Sequence, residues 1–337
     1  MKVTIKDIAK RAQVSTATVS NVLTKKKYVS PELEQRVMEV IEATNYSPNT
    51  YARSLKINKS YEIGVHVPDI TNPFFSETVK YIYKTASKKN YQIQLCISND
   101  KVEKEKEILN NFMQKRVDGI INVAPKMKEA DLIKYKDIPM VIVDRPAFKT
   151  NANMSFVYAD NSIGAESVID YFVEKGYKKY VCFMGQVEVI PNARKRLEGF
   201  LTGMEKHGLS KENCKIYYGD FTFDSGYALM EQFLQEYFVE ERYGVFVSSD
   251  IMAWGALEAA KKHGVNIPSQ IGVVGYDNIY FSNFINPHLT TVENPTKELG
   301  TNAIQVVLEA ISSGEKMKGT STVSYTHLRA HETTLHL

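Results

Sequence analysis

The chain has 337 residues, which at about 150 residues per domain predicts two or three domains. Hydrophobic residues make up 43% and charged residues 24%, and this usage excludes wholesale disorder. No apolar run approaches the roughly 20 residues of a transmembrane helix, and the N-terminus lacks the apolar core of a secretory signal. Cys96, Cys182 and Cys214 lie far apart, so neither a disulfide framework nor a zinc site is expected. We therefore expect a soluble cytoplasmic protein without a metal or a cofactor.

The net charge of +3 is unevenly distributed along the chain. Residues 1–60 contain eleven Lys and Arg against five Asp and Glu, a balance of +6, and the remaining residues carry −3. A basic head on a mildly acidic body favours a polyanionic partner for the head. The alternative is a lysine-rich, solvated helical segment, and charge alone does not separate the two.

The first 46 residues predict three short helices. Thr4 can cap the first helix with Asp7 three residues on, and Ser15 can cap the second after a short break. Ser30-Pro31 begins the third, because proline is favoured at the first helical position. Three helices in under 50 residues, the first two joined by a tight turn, describe a helix-turn-helix domain.

The second of these helices has the features of a major-groove reader. Its apolar stripe leaves Thr16, Ala17, Ser20 and Asn21 pointing outward. Small side chains let the backbone approach base edges, while the nearby lysines neutralise phosphates. Three-helix bundles also serve as protein-interaction modules, and periodicity leaves that alternative open.

The sequence TIKDIAKRAQVSTATVSNVL, followed by YVSPELEQRVMEVIEATNYSPNTYARSL, resembles the DNA-binding head of the lactose-repressor (LacI) family of bacterial transcription factors. The resemblance implies base reading by Thr16, Ala17 and Asn21. Many members of the family carry Arg at the position of Asn21, and Asn prefers an adenine edge to guanine. The other DNA contacts that the resemblance implies in the head are Thr4, Ser15, Thr18, Ser20, Tyr46 and Asn49.

Residues 47–60 are predicted to be a hinge helix and linker. The segment from Thr50 to Lys56 offers only about two helical turns, which are marginal in water alone, so a flexible linker is the alternative. The family resemblance of PNTYARSL implies a helix that orders in the minor groove beside its symmetry mate. Leu55 would then part a base step, with Ala52 at the helix contact and Arg53 near phosphates. Because both hinges must insert together, specific binding should need a homodimer.

From Tyr61 onward, short apolar strands alternate with helices in two similar series. Such alternation is typical of parallel sheets covered on both faces, and it predicts an α/β core of two Rossmann-like subdomains behind an all-α helix-turn-helix head. Ligands of such folds sit beyond the carboxyl ends of the strands. The predicted organisation is a helix-turn-helix domain at 1–46, the hinge at 47–60, an effector-binding and dimerisation core at 61–320 (first subdomain about 61–158 and 291–320, second about 159–290), and an atypical tail at 321–337.

Polar residues follow several predicted strands and should line a cleft between the subdomains. These strand-end residues are Asp69, Asn72, Asp144-Arg145, Ser249-Asp250 and Asp277. A single strand-end Asp is more often a helix cap than a ligand contact, so the prediction of a cleft rests on the whole cluster.

The chain has no P-loop, no G-x-G-x-x-G after a strand and no G-x-S-x-G, and no nucleophile stands at an interpretable distance from a base. We therefore do not expect an enzyme.

The motifs PDITNPFF, KRVDGII, VDRP, ARKRLEGF, GDFTFDSGY, SSDIMAWGAL and GVVGYDN resemble the effector-binding core of the same family and, more distantly, periplasmic sugar-binding proteins. The resemblance implies a sugar stacked between aromatic rings and caged by polar groups. Core packing is the alternative role for the aromatic residues, and a purine corepressor is the alternative ligand. Ser249 stands where many sugar-binding relatives have Asn, and Glu293 lies near the subdomain crossover. The implied effector-binding residues are Asn72, Phe74, Phe75, Asp144, Arg145, Arg196, Phe221, Ser249, Asp277 and Glu293.

The C-terminal sequence TSTVSYTHLRAHETTLHL departs from the family pattern and looks foreign, so the closing strand of the first subdomain is expected to be missing or replaced. The sequence as a whole predicts a DNA-binding transcriptional regulator of carbohydrate genes, which binds a palindromic operator as a homodimer under the control of a small sugar-like effector. The alternatives are a corepressor- or phosphoprotein-dependent regulator of the same family, or a solute-binding protein. No membrane association is expected.

Overall fold

Thr4 and Ser15 begin the first two helices of the head, as the sequence predicts. The Thr4 hydroxyl accepts a hydrogen bond from the Asp7 amide at 3.4 Å, and the Thr4 amide donates to the Asp7 carboxylate at 2.9 Å, which completes a capping box. The Ser15 hydroxyl accepts from the Thr18 amide at 3.0 Å. The helices are α1 (Ile5–Arg11), α2 (Thr16–Thr24) and α3 (Pro31–Thr44).

The head has its own small apolar core. The Arg36 guanidinium donates to the Ala12 carbonyl oxygen at 2.6 Å and thereby ties α3 to the end of α1. The residues buried between the three helices are Ile8, Ala9, Ala12, Val19, Val22 and Val37. The chain divides into two units, residues 1–60 and 61–337. The computed structural model describes residues 3–25, 27–46, 59–150, 152–239, 241–317, 319, 321–324 and 326–330.

The second unit consists of two α/β subdomains, each built on a six-stranded sheet. The strands of the first sheet are β1 (Glu62–Val67), β2 (Gln92–Ile97), β3 (Gly119–Val123), β4 (Met140–Val143), β5 (Met154–Ala159) and β11 (Ser321–Ser324). Those of the second are β6 (Lys179–Met184), β7 (Cys214–Tyr218), β8 (Tyr243–Val247), β9 (Ile271–Asp277), β10 (Thr290–Glu293) and β12 (His327–Arg329). The helices are α4 (Pro73–Lys88), α5 (Val102–Lys115), α6 (Glu129–Leu132), α7 (Asn161–Glu174), α8 (Pro191–Lys206), α9 (Phe223–Glu236), α10 (Asp250–Lys262) and α11 (Thr296–Ser313), with short 3-10 turns at Ile133–Tyr135, Lys211–Asn213 and Tyr280–Asn283.

The strand orders confirm the predicted doubly wound architecture. The first sheet runs β11-β5-β4-β3-β1-β2 and the second β12-β10-β9-β8-β6-β7. All neighbouring strands pair in parallel except β12, which is antiparallel to β10. Fully buried runs such as β3 and β8 form these strands because helices cover both faces of a parallel sheet. The carboxyl ends of the parallel strands therefore share one edge in each sheet.

The chain passes between the subdomains immediately after β5, again after β10, and a third time between β11 of the first sheet and β12 of the second. Residues 290–293 pair with β9 in the second sheet, whereas α11 packs into the core of the first subdomain. The second sheet therefore includes residues up to Glu293, a few residues beyond the predicted subdomain limit at about residue 290. The first passage falls after Ala159, next to the sequence-based limit at 158.

The C-terminal segment adds a strand to each sheet. The backbone of 321–324 pairs in parallel with β5, in the position where a missing or replaced strand was expected. Residues 327–329 pair with β10, and the Arg329 guanidinium bonds the Glu293 carboxylate at 2.6 Å. The unusual sequence of this segment is thus compatible with strand pairing, which depends on backbone groups.

Gly226 allows α9 and α10 to pack with their backbones in contact. A Cβ atom at this position would lie 1.9 Å from the Met252 carbonyl oxygen. We expect Gly226→Ala to lower the free energy of unfolding by about 1–3 kcal/mol, because the helices must separate to admit the methyl group. Ala228→Ser on the exposed face of α9 should change it by less than about 0.5 kcal/mol. Urea denaturation of both variants tests this, and equal stability of the two would contradict the close packing.

Candidate functional site

Helix α2 presents a small polar surface to solvent. Thr16, Ala17 and Ser20 are exposed, whereas Thr18 and Asn21 are half-buried at the edge of the same face. Val19 and Val22 on the opposite side are buried in the head core. The exposed side chains are short, so the α2 backbone can approach another surface closely. This arrangement suits insertion into a DNA major groove.

The remaining predicted DNA contacts of the head lie in different environments. Thr4 and Ser15 are exposed, although their hydroxyl groups also serve as helix caps. Tyr46 packs against the head core, and burial raises the pKa of its phenol. The predicted contacts Asn49, Ala52, Arg53 and Leu55 lie outside the described residues.

Tyr28 is a surface feature of the head that sequence reasoning missed. It follows the exposed Lys27, between α2 and α3, and 89% of the residue is exposed. An aromatic ring beside lysines, with no apolar partner at helical spacing, was the available signal. Such a ring can contact sugar or base surfaces once lysines bind the phosphates.

A cavity of about 310 Å³ lies at the carboxyl ends of the strands, between the two subdomains. Its volume lies at the lower end of the range for small-molecule sites. It opens where parallel α/β sheets place their ligands. Seven of the ten predicted effector-binding residues line this cavity, namely Asn72, Phe74, Phe75, Asp144, Arg196, Phe221 and Asp277.

Arg196 is the most extensively bonded side chain of the cavity. Its guanidinium bonds the Asp277 carboxylate at 3.1 Å and the Ser248 carbonyl oxygen, and it stacks on the Tyr276 ring at 3.8 Å. Arg196 and Asp277 are both buried, with 4% and 6% exposure. Burial raises the pKa of the Asp277 carboxyl, and the Arg196 charge opposes that rise. The pair holds a fixed row of donors and acceptors at the cavity wall.

The same ion pair is bonded to two of the three passages between the subdomains. Arg196 donates to the Asn161 side-chain oxygen at 2.7 Å, and Asn161 is the first residue of α7, just after β5. The side-chain amide of Asn294 donates to the Asp277 carboxylate at 3.2 Å, and Asn294 directly follows β10. A ligand that contacts the pair therefore touches a network that includes two of the three connections between the subdomains.

Asp144 faces the pair from the first subdomain with unused hydrogen-bonding capacity. Its Oδ1 atom is buried and has no hydrogen-bond partner among the described residues. Burial, aided by the nearby Asp277 carboxylate, raises the pKa of Asp144 to about 7 despite the Arg196 charge. Asn192 donates to the Asp144 carbonyl oxygen at 2.7 Å, and its own Oδ1 is also buried without a described partner. The Asn192 oxygen is an acceptor, and the Asp144 carboxyl accepts when it is ionised and can also donate when it is protonated, so the cavity is prepared for a ligand with hydrogen-bonding groups such as hydroxyls.

Aromatic rings supply the apolar walls of the cavity. Phe74 and Phe75 lie edge to face on α4 with ring centroids 5.2 Å apart, and Phe74 also packs into the core of the first subdomain. Phe221 covers Gly185, where a Cβ atom would lie 2.0 Å from the ring. Polar acceptors beside aromatic faces match the two surfaces of a sugar ring, its hydroxyl groups and its C–H face.

Unusual backbone conformations gather around this cavity. Five of its lining residues have positive φ angles between 45° and 114° although none is glycine. Each such conformation costs of the order of 1–3 kcal/mol and is retained where the site requires it. These residues are Asp100, Ala124, Asp144, Phe221 and Asp277.

Three predicted effector-binding residues lie outside the cavity lining. The Arg145 guanidinium donates to the carbonyl oxygens of Pro125 and Met127, at 3.4 and 2.7 Å, and so fixes the loop after β3. Ser249 is buried and caps α10, accepting from the Met252 amide at 3.3 Å. Glu293 bonds Arg329 on the neighbouring strand. The side chains of all three are engaged elsewhere in the structure.

The structure also brings in lining residues that sequence reasoning did not select. Asn192 stands in the first turn of α8, and Phe223 begins α9. Lys126 and Asp100 form an ion pair at 3.1 Å at the cavity wall. Phe223 belongs to the motif GDFTFDSGY, whereas the loops that carry Lys126 and Asp100 contain no motif. Only the meeting of strand ends in space brings these residues to the cavity.

The described residues contain no cluster of three or more His, Cys, Asp or Glu that could hold a metal ion. Among the same residues, no helix is long and apolar enough to cross a membrane.

Comparison with known proteins gives the class of each part. Residues 4–49 match the family model described as bacterial regulatory proteins, lacI family, and residues 169–334 match the periplasmic binding protein-like domain. A helix-turn-helix head followed by a binding-protein-like core defines a DNA-binding regulator with a ligand domain. The ribose operon repressor of Escherichia coli (strain K12) is 34% identical over 313 residues, which cover 92% of this chain and 93% of the repressor. The chain therefore belongs to the lacI family of bacterial regulatory proteins.

Other relatives agree with this assignment. The HTH-type transcriptional repressor PurR of Histophilus somni (strain 129Pt) is 34% identical, with 93% of each chain covered. The crystal structure of the Lac repressor dimer bound to operator and the anti-inducer ONPF superposes with a TM-score of 0.86 at 25% identity, covering 99% of this chain and 100% of that chain. A LacI family transcriptional regulator from Enterococcus faecium with bound ribose superposes with a TM-score of 0.71 at 25% identity, covering 80% and 97%.

The buried Asp144 carboxyl predicts a pH-dependent stability. Its pKa rises from 3.8 to about 7 on folding, so the ionised carboxylate opposes folding and wild-type stability falls as the pH rises from about 4 to 7. We expect Asp144→Asn to gain stability over wild type by up to about 1.4 kcal/mol per pH unit in this range, and the gain should level off above pH 7.

Asp224→Asn is the control, because Asp224 is exposed in the first turn of α9. Its replacement should change stability by less than about 1 kcal/mol at both pH values. Urea midpoints at pH 5 and 8 test both variants, and an Asp144→Asn gain that stays constant between these pH values would contradict the raised pKa.

Proposed function

We propose that this chain is a transcriptional repressor of carbohydrate genes, which binds a palindromic operator as a homodimer and responds to a small sugar-like effector. The observation that carries the proposal is the presence, in one chain, of a basic helix-turn-helix head and a buried polar cavity between two hinged subdomains. The repressor relatives and the operator-bound Lac repressor dimer support it. A regulator of this kind acts in the cytoplasm, where the chromosome lies.

In the proposed complex, α2 lies in the major groove. Thr16, Ala17 and Asn21 read base edges, while Ser15, Thr18 and Ser20 contact phosphates. Thr4, Tyr46 and Asn49 add contacts beside the groove. The hinge residues Ala52, Arg53 and Leu55 lie in the minor groove, where Leu55 separates a base step.

The effector occupies the cavity between the subdomains. Asp144 and the Arg196–Asp277 pair bind its hydroxyl groups, and Asn72 lies at the same wall. Phe74, Phe75 and Phe221 cover its C–H faces. Ribose bound in the Enterococcus faecium relative supports a monosaccharide or a derivative of one. Arg145, Ser249 and Glu293 support the site from outside the lining.

An exposed aromatic patch on the second subdomain supports the homodimer. Tyr280, Phe281 and Phe284 are exposed by 62%, 48% and 65%. The rings of Tyr280 and Phe284 lie 4.9 Å apart, so the exposed surface is continuous. A patch of this kind on a protein surface marks an interaction site, and a second copy of the chain would cover it.

Selection of duplexes from a random library by the full chain tests the DNA function. The selected sequences should be palindromic, with half-sites about one helical turn apart. Asn21→Arg should change the preferred base at one position of each half-site from adenine to guanine, with about 1–3 kcal/mol of discrimination. Gln35→Arg adds the same charge on α3 and should keep the wild-type preference. Recovery of unrelated sequences, or the same shift in both variants, would refute the assigned readout.

A thermal-shift screen of pentoses, hexoses, uronates and purines tests the effector site. A ligand at 100 times its Kd should stabilise the core by about 2.7 kcal/mol. Asp144→Asn should abolish this stabilisation, because it replaces a carboxylate that faces the cavity, and should leave operator affinity without ligand unchanged. The exposed Asp224→Asn is the control. If the ligand still stabilised Asp144→Asn as it does wild type, the site would lie elsewhere.

A further inference from the structure

A second open groove, of about 670 Å³, lies at the amino-terminal edge of the first sheet. The six strands of this sheet run parallel, so the segments that precede them meet at one edge. Lys136 precedes β4, Lys149 precedes β5 and Lys316 precedes β11, and all three line the groove. The groove therefore lies on the opposite edge of the sheet from the effector cavity.

The three lysines of the groove give its lining a net positive charge. All are exposed, and none forms an ion pair with another described residue. Asp137 is the single acidic residue of the lining. Three ammonium groups around one carboxylate favour an anionic partner.

The basic charge continues along the same edge beyond the groove. Two lysines at 88–89 precede β2, and a lysine and an arginine at 115–116 precede β3. All four are exposed, and Asp118 and Glu315 are nearby acids at this edge. The strands from β5 to β2 span four spacings of about 4.8 Å, or about 19 Å. A row of this length exceeds a single phosphate group and matches several consecutive phosphates of a nucleic-acid strand.

We propose that this basic edge, formed by Lys136, Lys149 and Lys316 with 88–89 and 115–116, binds DNA phosphates that flank the operator. The proposal rests on the DNA-binding function proposed above and extends it to a surface of the core. The chain enters the core at this edge, since β1 begins there at Glu62. The fourteen residues of 47–60 can span at most about 50 Å, so the edge stays within reach of DNA held by the head.

Operator affinity on duplexes of two lengths tests the proposal. Three proteins are compared on a selected operator of about 20 bp and on the same operator in a duplex of about 50 bp. They are the wild-type full chain, the groove variant Lys136→Gln/Lys149→Gln/Lys316→Gln, and the control variant Lys178→Gln/Lys211→Gln/Lys261→Gln. The control removes three exposed lysines from the second subdomain. The affinity is measured from about 50 to 200 mM salt.

Wild type and control should show a steeper salt dependence on the long duplex than on the short one. The groove variant should lose this extra slope, by about 0.9 for each lost phosphate contact and by at most about 5 per dimer, and should bind the short duplex as wild type does. Equal loss in the groove variant and the control, loss on the short duplex too, or no effect of duplex length in wild type would each overturn the proposal. Binding of the short operator reports the head alone, so failure of the proposed function would appear as absence of that binding.

Discussion

The buried ion pair between Arg196 and Asp277 is the constraint on which the ligand-binding half of the molecule depends. Two charges at 4% and 6% exposure are tolerated only when their hydrogen bonds are satisfied, and loss of one partner from such a pair costs about 3–5 kcal/mol. Ser248, Asn161 and Asn294 satisfy this pair. The cavity wall, the start of α7 and the end of β10 are consequently held in one network.

This network explains how binding in the cavity can reach the rest of the core. The two asparagines stand at two of the three passages of the chain between the subdomains, and Ile251 and Ile279 of the second subdomain pack into the core of the first. A ligand that bonds Asp144 on one side and the ion pair on the other favours one angle between the subdomains. The free energy available to shift the angle between the subdomains is the difference in ligand-binding free energy between the two subdomain arrangements, typically 1–3 kcal/mol.

The sequence predicts the elements of this structure better than the direction of individual side chains. Helix caps at Thr4 and Ser15 follow from local chemistry, and strands such as 92–97 follow from apolar runs. Strand ends identify the cavity edge, but Asp144 and Arg145 are adjacent and point to different neighbours, which no spacing rule reveals. Asn192 and Lys126 reach the cavity only through the meeting of separate loops. The strand at 154–159 and helix α7 are not among the predicted elements, although Asp160, which caps α7, is a local signal between them.

Reciprocal coupling between the two sites is the most direct test of the central claim that the cavity controls the DNA-binding head. Operator affinity of the full chain is measured with and without saturating effector, and effector affinity with and without saturating operator. The account predicts the same factor in both measurements, about 5- to 150-fold, in whichever direction the effector acts. An effector that binds the core with unchanged affinity in the presence of operator, and that leaves operator affinity unchanged, would contradict it.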